Sequence, residues 1–115
     1  MRRIVFTAVL LSGCQSINEP PTLTETYPQA YDRLASCFYL RARTVLDDEA
    51  GIRFEDLKAQ GVAIVAQRAR ETALWEARFT QVGQNSSRVE IKAMRTVWGP
   101  DFIPNQVRPY LTACL

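Results

Sequence analysis

The chain has 115 residues, 47% hydrophobic and 23% charged, a composition typical of one small globular domain. Its formal charge is only +2 and it contains no histidine. The weak charge supplies no footprint for a nucleic acid backbone, and the missing histidine removes the commonest general base and transition-metal ligand. We therefore expect no nucleic acid partner, no cofactor, no metal and no enzymatic activity.

The first thirteen residues have the pattern of a secretory signal peptide. Arg2 and Arg3 precede an apolar run over residues 4–11, and the small residues Ser12 and Gly13 follow it. The run is much too short to span a bilayer core of about 30 Å. The pattern predicts export and removal of residues 1–13, although a buried N-terminal strand is an alternative.

The end of this segment, Leu11-Ser12-Gly13-Cys14, resembles the lipobox of bacterial lipoproteins. The resemblance implies cleavage before Cys14 and a lipid anchor on that cysteine, with diacylglycerol on the thiol and a fatty acid such as palmitate on the new amine. The residue after the cysteine is Gln15, whereas Asp there is the family's inner-membrane retention signal in enteric-type bacteria. The resemblance therefore implies the periplasmic face of the outer membrane, and it covers the leader alone.

A polar stretch containing Pro20 and Pro21 follows the cysteine and shows no apolar periodicity. We expect residues 14–26 to form a flexible tether between the lipid and a single domain over residues 27–115. An ordered arm that packs on the domain is the alternative.

Apolar side chains then recur at intervals of three and four, which predicts a helix over residues 27–44 with Pro28 in its first turn. The stripe consists of Tyr31, Leu34, Phe38, Ala42 and Val45. Cys37 lies beside this stripe, so we expect it to face inward. The acidic residues 47–49 and Gly51 end the helix.

From Ile52 the apolar period changes to two, which is typical of strands. Four strands are predicted, at residues 52–55, 62–66, 75–82 and 88–93. The last two form the clearest signal, a hairpin around the turn-forming residues 83–87. An alternative is a helix over residues 54–79, but it would have to contain Gly61.

The last predicted element is a short helix that Asn105 caps and that runs to about Cys114. Val107, Tyr110 and Leu111 would share its inward face with Cys114. Before this helix, the sequence Trp98-Gly99-Pro100 ends the sheet. Trp98 is either a core residue or, if exposed, a protein-binding hot spot.

Lipid on Cys14 would leave Cys37 and Cys114, and two cysteines in an oxidising compartment usually pair. Free thiols or a metal site are alternatives, although two cysteines without histidine are a poor ligand set. The predicted fold is α+β, with an N-terminal helix, a four-stranded antiparallel meander and a short C-terminal helix. A disulfide is expected to join the two helices.

One face of the predicted sheet is charged and would carry cross-strand ion pairs. Its residues are Glu76, Arg78, Arg88, Glu90 and Lys92. This face is either a recognition surface for an envelope protein or a solvated surface. The resulting hypothesis is a lipid-anchored cell-envelope protein that serves as a protein-binding or structural module. The alternative is an inhibitor or immunity-type lipoprotein that acts on a periplasmic enzyme.

Overall fold

The computed structural model describes residues 20–21, 23–46, 51–70 and 72–115. The predicted signal peptide, the lipidation residue Cys14 and most of the predicted tether lie outside these residues. The acidic residues 47–49 also lie outside them.

Within the described residues, five antiparallel strands form one sheet in the order β1-β5-β4-β3-β2, and two helices pack on one of its faces. The elements in chain order are β1 (Leu23–Tyr27), α1 (Tyr31–Val45), β2 (Ile52–Leu57), β3 (Val62–Ala69), β4 (Thr72–Gly83), β5 (Ser86–Ala93) and α2 (Phe102–Thr112), with a 3-10 turn at Lys58–Gln60.

The prediction of a four-stranded sheet is wrong, because β1 adds a fifth strand. It pairs antiparallel with β5, with Leu23 opposite Ile91 and Tyr27 opposite Ser87. Leu23 is buried in the core, which holds the strand on the sheet although its middle residues are polar. The chain therefore joins the domain at Leu23, inside the stretch that was expected to be a tether.

The two helices also differ from their predicted bounds. Helix α1 begins at Tyr31, since Ala30 at its N-cap is still extended, so Pro28 lies before the helix. Helix α2 begins at Phe102 rather than after Asn105, which places Pro109 inside it. It ends at Thr112. The disulfide therefore joins α1 to the turn that follows α2, and the prediction that it joins the two helices is corrected.

The core lies between the helices and the sheet and is centred on Phe38 of α1, which is fully buried. Its ring makes edge-to-face contacts with Trp75, Phe79 and Tyr110, at centroid distances of 5.7, 5.4 and 5.9 Å. Such contacts stabilise aromatic clusters beyond the area they bury. One side chain of α1 thus connects β4 and α2.

The face of the sheet turned away from α1 and α2 is here called the uncovered face, because neither of these two helices packs on it. Side chains alternate across a strand, so the strand residues between the core positions project from this face. They are Thr24, Thr26, Arg53, Glu55, Leu57, Val62, Ile64, Ala66, Glu76, Arg78, Thr80, Arg88, Glu90 and Lys92.

The two ends of the sheet are distinguished by their connections. At one end, here called the hairpin end, Gln84 and Asn85 form the tight turn between β4 and β5. At the other, here called the entry end, the chain enters β1 at Leu23, and β5 leaves the sheet at Ala93. The β5–α2 connection, which contains Trp98, therefore starts from the entry end.

Candidate functional site

The disulfide between Cys37 and Cys114 closes a loop of 77 residues, and its Cα atoms are 5.9 Å apart. Cys37 lies on α1, and Cys114 lies two residues beyond the end of α2. Both cysteines are half-buried. The bond ties the segment that follows α2 to the first helix, and the predicted pairing of Cys37 with Cys114 is confirmed.

An open depression of about 520 Å³ lies beside this bond. It is lined by Pro28, Gln29, Ala30, Arg33, Cys37, Asn85 and Cys114. Of the described residues that line it, Arg33 is the only charged one. The depression is a surface hollow at the hairpin end.

A smaller cleft of about 220 Å³ lies between the C-terminal end of α1 and the start of α2. Its walls are mainly apolar and include Leu46, Leu74 and Ile103. Inside it the indole Nε1 of Trp75 donates a 2.7 Å hydrogen bond to Oε1 of Gln67. This bond satisfies the polar atom of an otherwise buried tryptophan, which gives it a structural role.

Among the described residues, the most exposed large apolar side chains are Val97 and Trp98, in the β5–α2 connection. They are 91% and 72% exposed. Phe102, at the start of α2, is 37% exposed, and its ring lies 4.8 Å from that of Trp98 at an interplanar angle of 33°. These three residues are called the Trp98 surface below. Trp98 is therefore exposed, which is the condition for the hypothesis that it is a protein-binding hot spot.

Hydrogen bonds around Thr96 shape the loop that presents this surface. The backbone N–H of Trp98 donates to Oγ1 of Thr96 at 3.1 Å, and the N–H of Gly99 donates to the carbonyl of Thr96 at 3.0 Å. Gly99 has φ +107°, a conformation that other residues rarely adopt. The tight turn therefore presents Val97 and Trp98 at its tip.

The charged residues of the uncovered face lie opposite each other as the alternation predicted. Glu76 lies opposite Lys92, and Arg78 lies opposite Glu90. The closest ion pairs run along the strands instead: Arg78 Nη2 is 3.6 Å from Glu76 Oε2, and Arg88 Nε is 3.9 Å from Glu90 Oε1. Exposed pairs at such distances contribute at most about 1 kcal/mol. The charged residues make β4 and β5 polar on this face, whereas β3 presents the apolar residues Val62, Ile64 and Ala66 between them and β2.

One titratable contact stands out at the hairpin end, where the hydroxyl of Tyr27 donates a 2.5 Å hydrogen bond to the Glu25 carboxylate. Burial and this hydrogen bond raise the pKa of Tyr27 to about 12, while the positive charge of Arg108 acts in the opposite direction. The contact connects two residues of an edge strand. A phenol that keeps its proton up to such a pH has no role as a base near neutrality.

Among the described residues, no group of three or more acidic, cysteine or histidine side chains is arranged to hold a metal ion. No helix within the described ranges is long and apolar enough to cross a membrane.

Of the predicted site residues, Cys37 and Cys114 are joined, Trp98 is exposed at the opposite part of the fold, and Cys14 lies outside the described residues. Sequence reasoning missed Val97 and Phe102 as neighbours of Trp98. Their apolar character in a loop with a glycine and a proline was the available signal. The chain matches no known family model, no curated protein and no solved structure.

Proposed function

We propose that the protein is an exported lipoprotein of the cell envelope, anchored by lipid on Cys14, whose domain serves as a protein-binding or structural module. The observation that carries the proposal is the Cys37–Cys114 disulfide. Disulfides persist in oxidising compartments and are rare in the cytosol. The bond therefore supports the export that the N-terminal pattern predicts.

The same bond supports lipidation by elimination. The chain has three cysteines, and the disulfide uses two of them. The remaining cysteine, Cys14, is the one in the lipobox-like sequence. Each buried methylene of a lipid contributes about 0.8 kcal/mol to membrane binding, so two or more acyl chains hold a protein durably.

A binding or structural role suits the composition and the surface. The chain has no histidine, and so it lacks the commonest acid–base group of enzymes. On the uncovered face, strands β2, β4 and β5 present basic and acidic residues in alternation, including Arg53, Glu55 and Arg78, and β3 between β2 and β4 presents apolar residues. An envelope protein with a mixed-charge surface is the partner this face would fit, because such patterns select partners by complementarity.

Metabolic labelling with palmitate tests the anchor. The wild-type protein is expected to incorporate label and to fractionate with membranes, whereas Cys14→Ala is expected to do neither. Cys37→Ala with Cys114→Ala is the matched control, since it removes two cysteines and keeps the proposed attachment point. Unlabelled wild-type protein in the cytosolic fraction would contradict the proposal.

Site-specific photo-crosslinking in the living cell tests the binding role. A photoreactive residue at Arg78, on the uncovered face, is expected to capture a defined envelope protein. The same residue at Leu40, which is 62% exposed on the outer side of α1, is the matched control. Identical products from both positions would contradict the assignment of the uncovered face.

A further inference from the structure

The Trp98 surface and the entry of the polypeptide into the domain lie at the same end of the sheet. Leu23, the first residue of β1, pairs with Ile91 close to the end of β5. The chain leaves β5 two residues later, at Ala93, and turns at Thr96 to present Val97 and Trp98. The hairpin between β4 and β5 occupies the other end.

Chain length limits how far this end can move from a lipid on Cys14. Nine residue steps separate Cys14 from Leu23, and an extended chain covers at most about 3.3–3.6 Å per residue. The entry end therefore stays within about 30 Å of the bilayer surface. The hairpin end is limited less closely, because it lies the length of the strands away from the point where the chain enters.

The side chains of the Trp98 surface have the chemistry of a membrane interface. Tryptophan is enriched at the level of the lipid headgroups, because its ring is apolar and its indole N–H is polar. Val97 adds an aliphatic side chain that is almost fully exposed. Phe102 packs against Trp98 from the first turn of α2 and supports the indole from the protein side.

We propose that Val97 and Trp98 insert into the interfacial layer of the bilayer that holds the Cys14 lipid, so that the domain rests on the membrane by its entry end. This inference rests on the lipid anchor of the proposed function. The hairpin end then points away from the bilayer, and the uncovered face stands to the side, open to a partner. The polypeptide that comes from Cys14 enters the domain at the end that carries the Trp98 surface, and this favours a lipid over a protein as the occupant of this surface.

The structure provides two tryptophans with contrasting exposure for the test. Trp75 is 2% exposed within the core, and Trp98 is 72% exposed. The lipidated mature protein would be placed in phosphatidylcholine vesicles whose acyl chains are brominated, since bromine quenches indole fluorescence on contact. A neutral lipid is the appropriate probe because it tests the insertion of apolar side chains without a contribution from headgroup charge.

We expect brominated vesicles to reduce the emission of the wild-type protein relative to unbrominated vesicles, and to leave Trp98→Phe, which retains only Trp75, nearly unchanged. The matched reporter is Val82→Trp in the Trp98→Phe background. Val82 is 45% exposed and lies near the hairpin end. Its indole is expected to escape quenching.

Flotation of the same vesicles separates the possible failures. Protein that floats with its vesicles while Trp98 is unquenched would contradict the membrane contact and leave the lipid anchor standing. Equal quenching at residues 98 and 82 would contradict the proposed orientation. Protein that carries no lipid and does not float would contradict the anchor and this inference with it. Crosslinking of residue 98 to a protein, with Trp98 unquenched, would assign the surface to a protein partner instead.

Discussion

The two ends of the sheet are built in different ways. The hairpin end has a two-residue turn at Gln84 and Asn85, the nearby disulfide, and a 3.2 Å hydrogen bond from the Tyr31 hydroxyl to Asp56. The entry end has the longer β5–α2 connection, with Val97 and Trp98 exposed at its tip. The disulfide lies toward one end, and Val97 and Trp98, the two most exposed large apolar side chains of the described residues, lie at the other.

This difference indicates a division of labour within a small domain. A domain of this size buries a modest share of its surface and needs an additional source of stability. The Cys37–Cys114 bond supplies it at a distance from the Trp98 surface. Residues at the entry end can then keep apolar side chains in solvent, which a contact surface requires, without removing the ties that hold the fold.

The largest loss of stability is expected when the disulfide is removed. Cys37→Ala together with Cys114→Ala is expected to lower the free energy of unfolding by about 4 kcal/mol, because a loop of 77 residues is no longer closed in the unfolded chain. Urea unfolding with and without reductant measures the loss. Reductant should lower the stability of the wild type to that of the double variant and should leave the double variant unchanged. A wild type insensitive to reductant would contradict this account.

The next largest effect is expected at Gly51, and it tests whether the backbone at this position of the entry end is rigid. Gly51 and Gly61 both have positive φ, +75° and +65°. A Cβ on Gly51 would lie 2.3 Å from the carbonyl oxygen of Arg68, whereas a Cβ on Gly61 would meet Gln81 at an ordinary 3.5 Å. Gly61→Ala is expected to cost about 1 kcal/mol from backbone conformation alone.

Gly51→Ala should cost about 3 kcal/mol, because it adds a steric clash to the same backbone penalty. The difference between the two variants in chemical unfolding isolates the close approach of Gly51 to Arg68. Equal losses would show that the backbone at Gly51 moves to accept a side chain. The entry end would then be less constrained than its geometry indicates.

The sequence predicted the middle of the molecule better than its edges. The predicted β4–β5 hairpin is confirmed. The prediction succeeded because a strict apolar alternation flanks a run of turn formers, and both signals are local. Strand β1 was missed because Leu23 and Tyr27 are its only apolar residues and the three between them are polar. Its place is decided by pairing with β5, a contact distant in the sequence that periodicity does not reveal.

The same contrast applies to the candidate sites. The cysteine count and the predicted compartment gave the disulfide, since two cysteines allow a single pairing. The sequence left two alternatives for Trp98, a core residue or an exposed one, because a lone tryptophan has no periodicity that assigns it to a face. The predicted start of α2, after Asn105, was too late in the chain. Pro104 is compatible with the first turn of a helix, where its missing N–H has no partner to lose, so α2 begins at Phe102.

A smaller effect is expected at the partly buried hydrogen bond between Trp75 and Gln67, which lies toward the entry end. Gln67→Ala removes the acceptor of the Trp75 Nε1–H bond and leaves a buried donor without a partner. The expected loss is about 1–2 kcal/mol. Gln67→Ala made in a Trp75→Phe background is the control, since the phenylalanine has no donor to orphan, and the loss there should be smaller. Additive losses in thermal or urea unfolding would show that the hydrogen bond contributes nothing.

The smallest effect is expected at the hairpin end, and it appears only at alkaline pH. The pKa of Tyr27 is raised to about 12, because burial and the hydrogen bond to Glu25 disfavour the phenolate. A tyrosine in the unfolded chain has a pKa of about 10, so the folded state holds this proton more tightly. The resulting stability is fully present below pH 10 and is lost as the pH rises from about 10 to about 12.

Tyr27→Phe lacks this proton, so its free energy of unfolding should fall less steeply than that of the wild type across that window. Urea midpoints at pH 8 and pH 11 measure the difference, and parallel declines of the two proteins would show that the Glu25 contact does not hold the proton in solution.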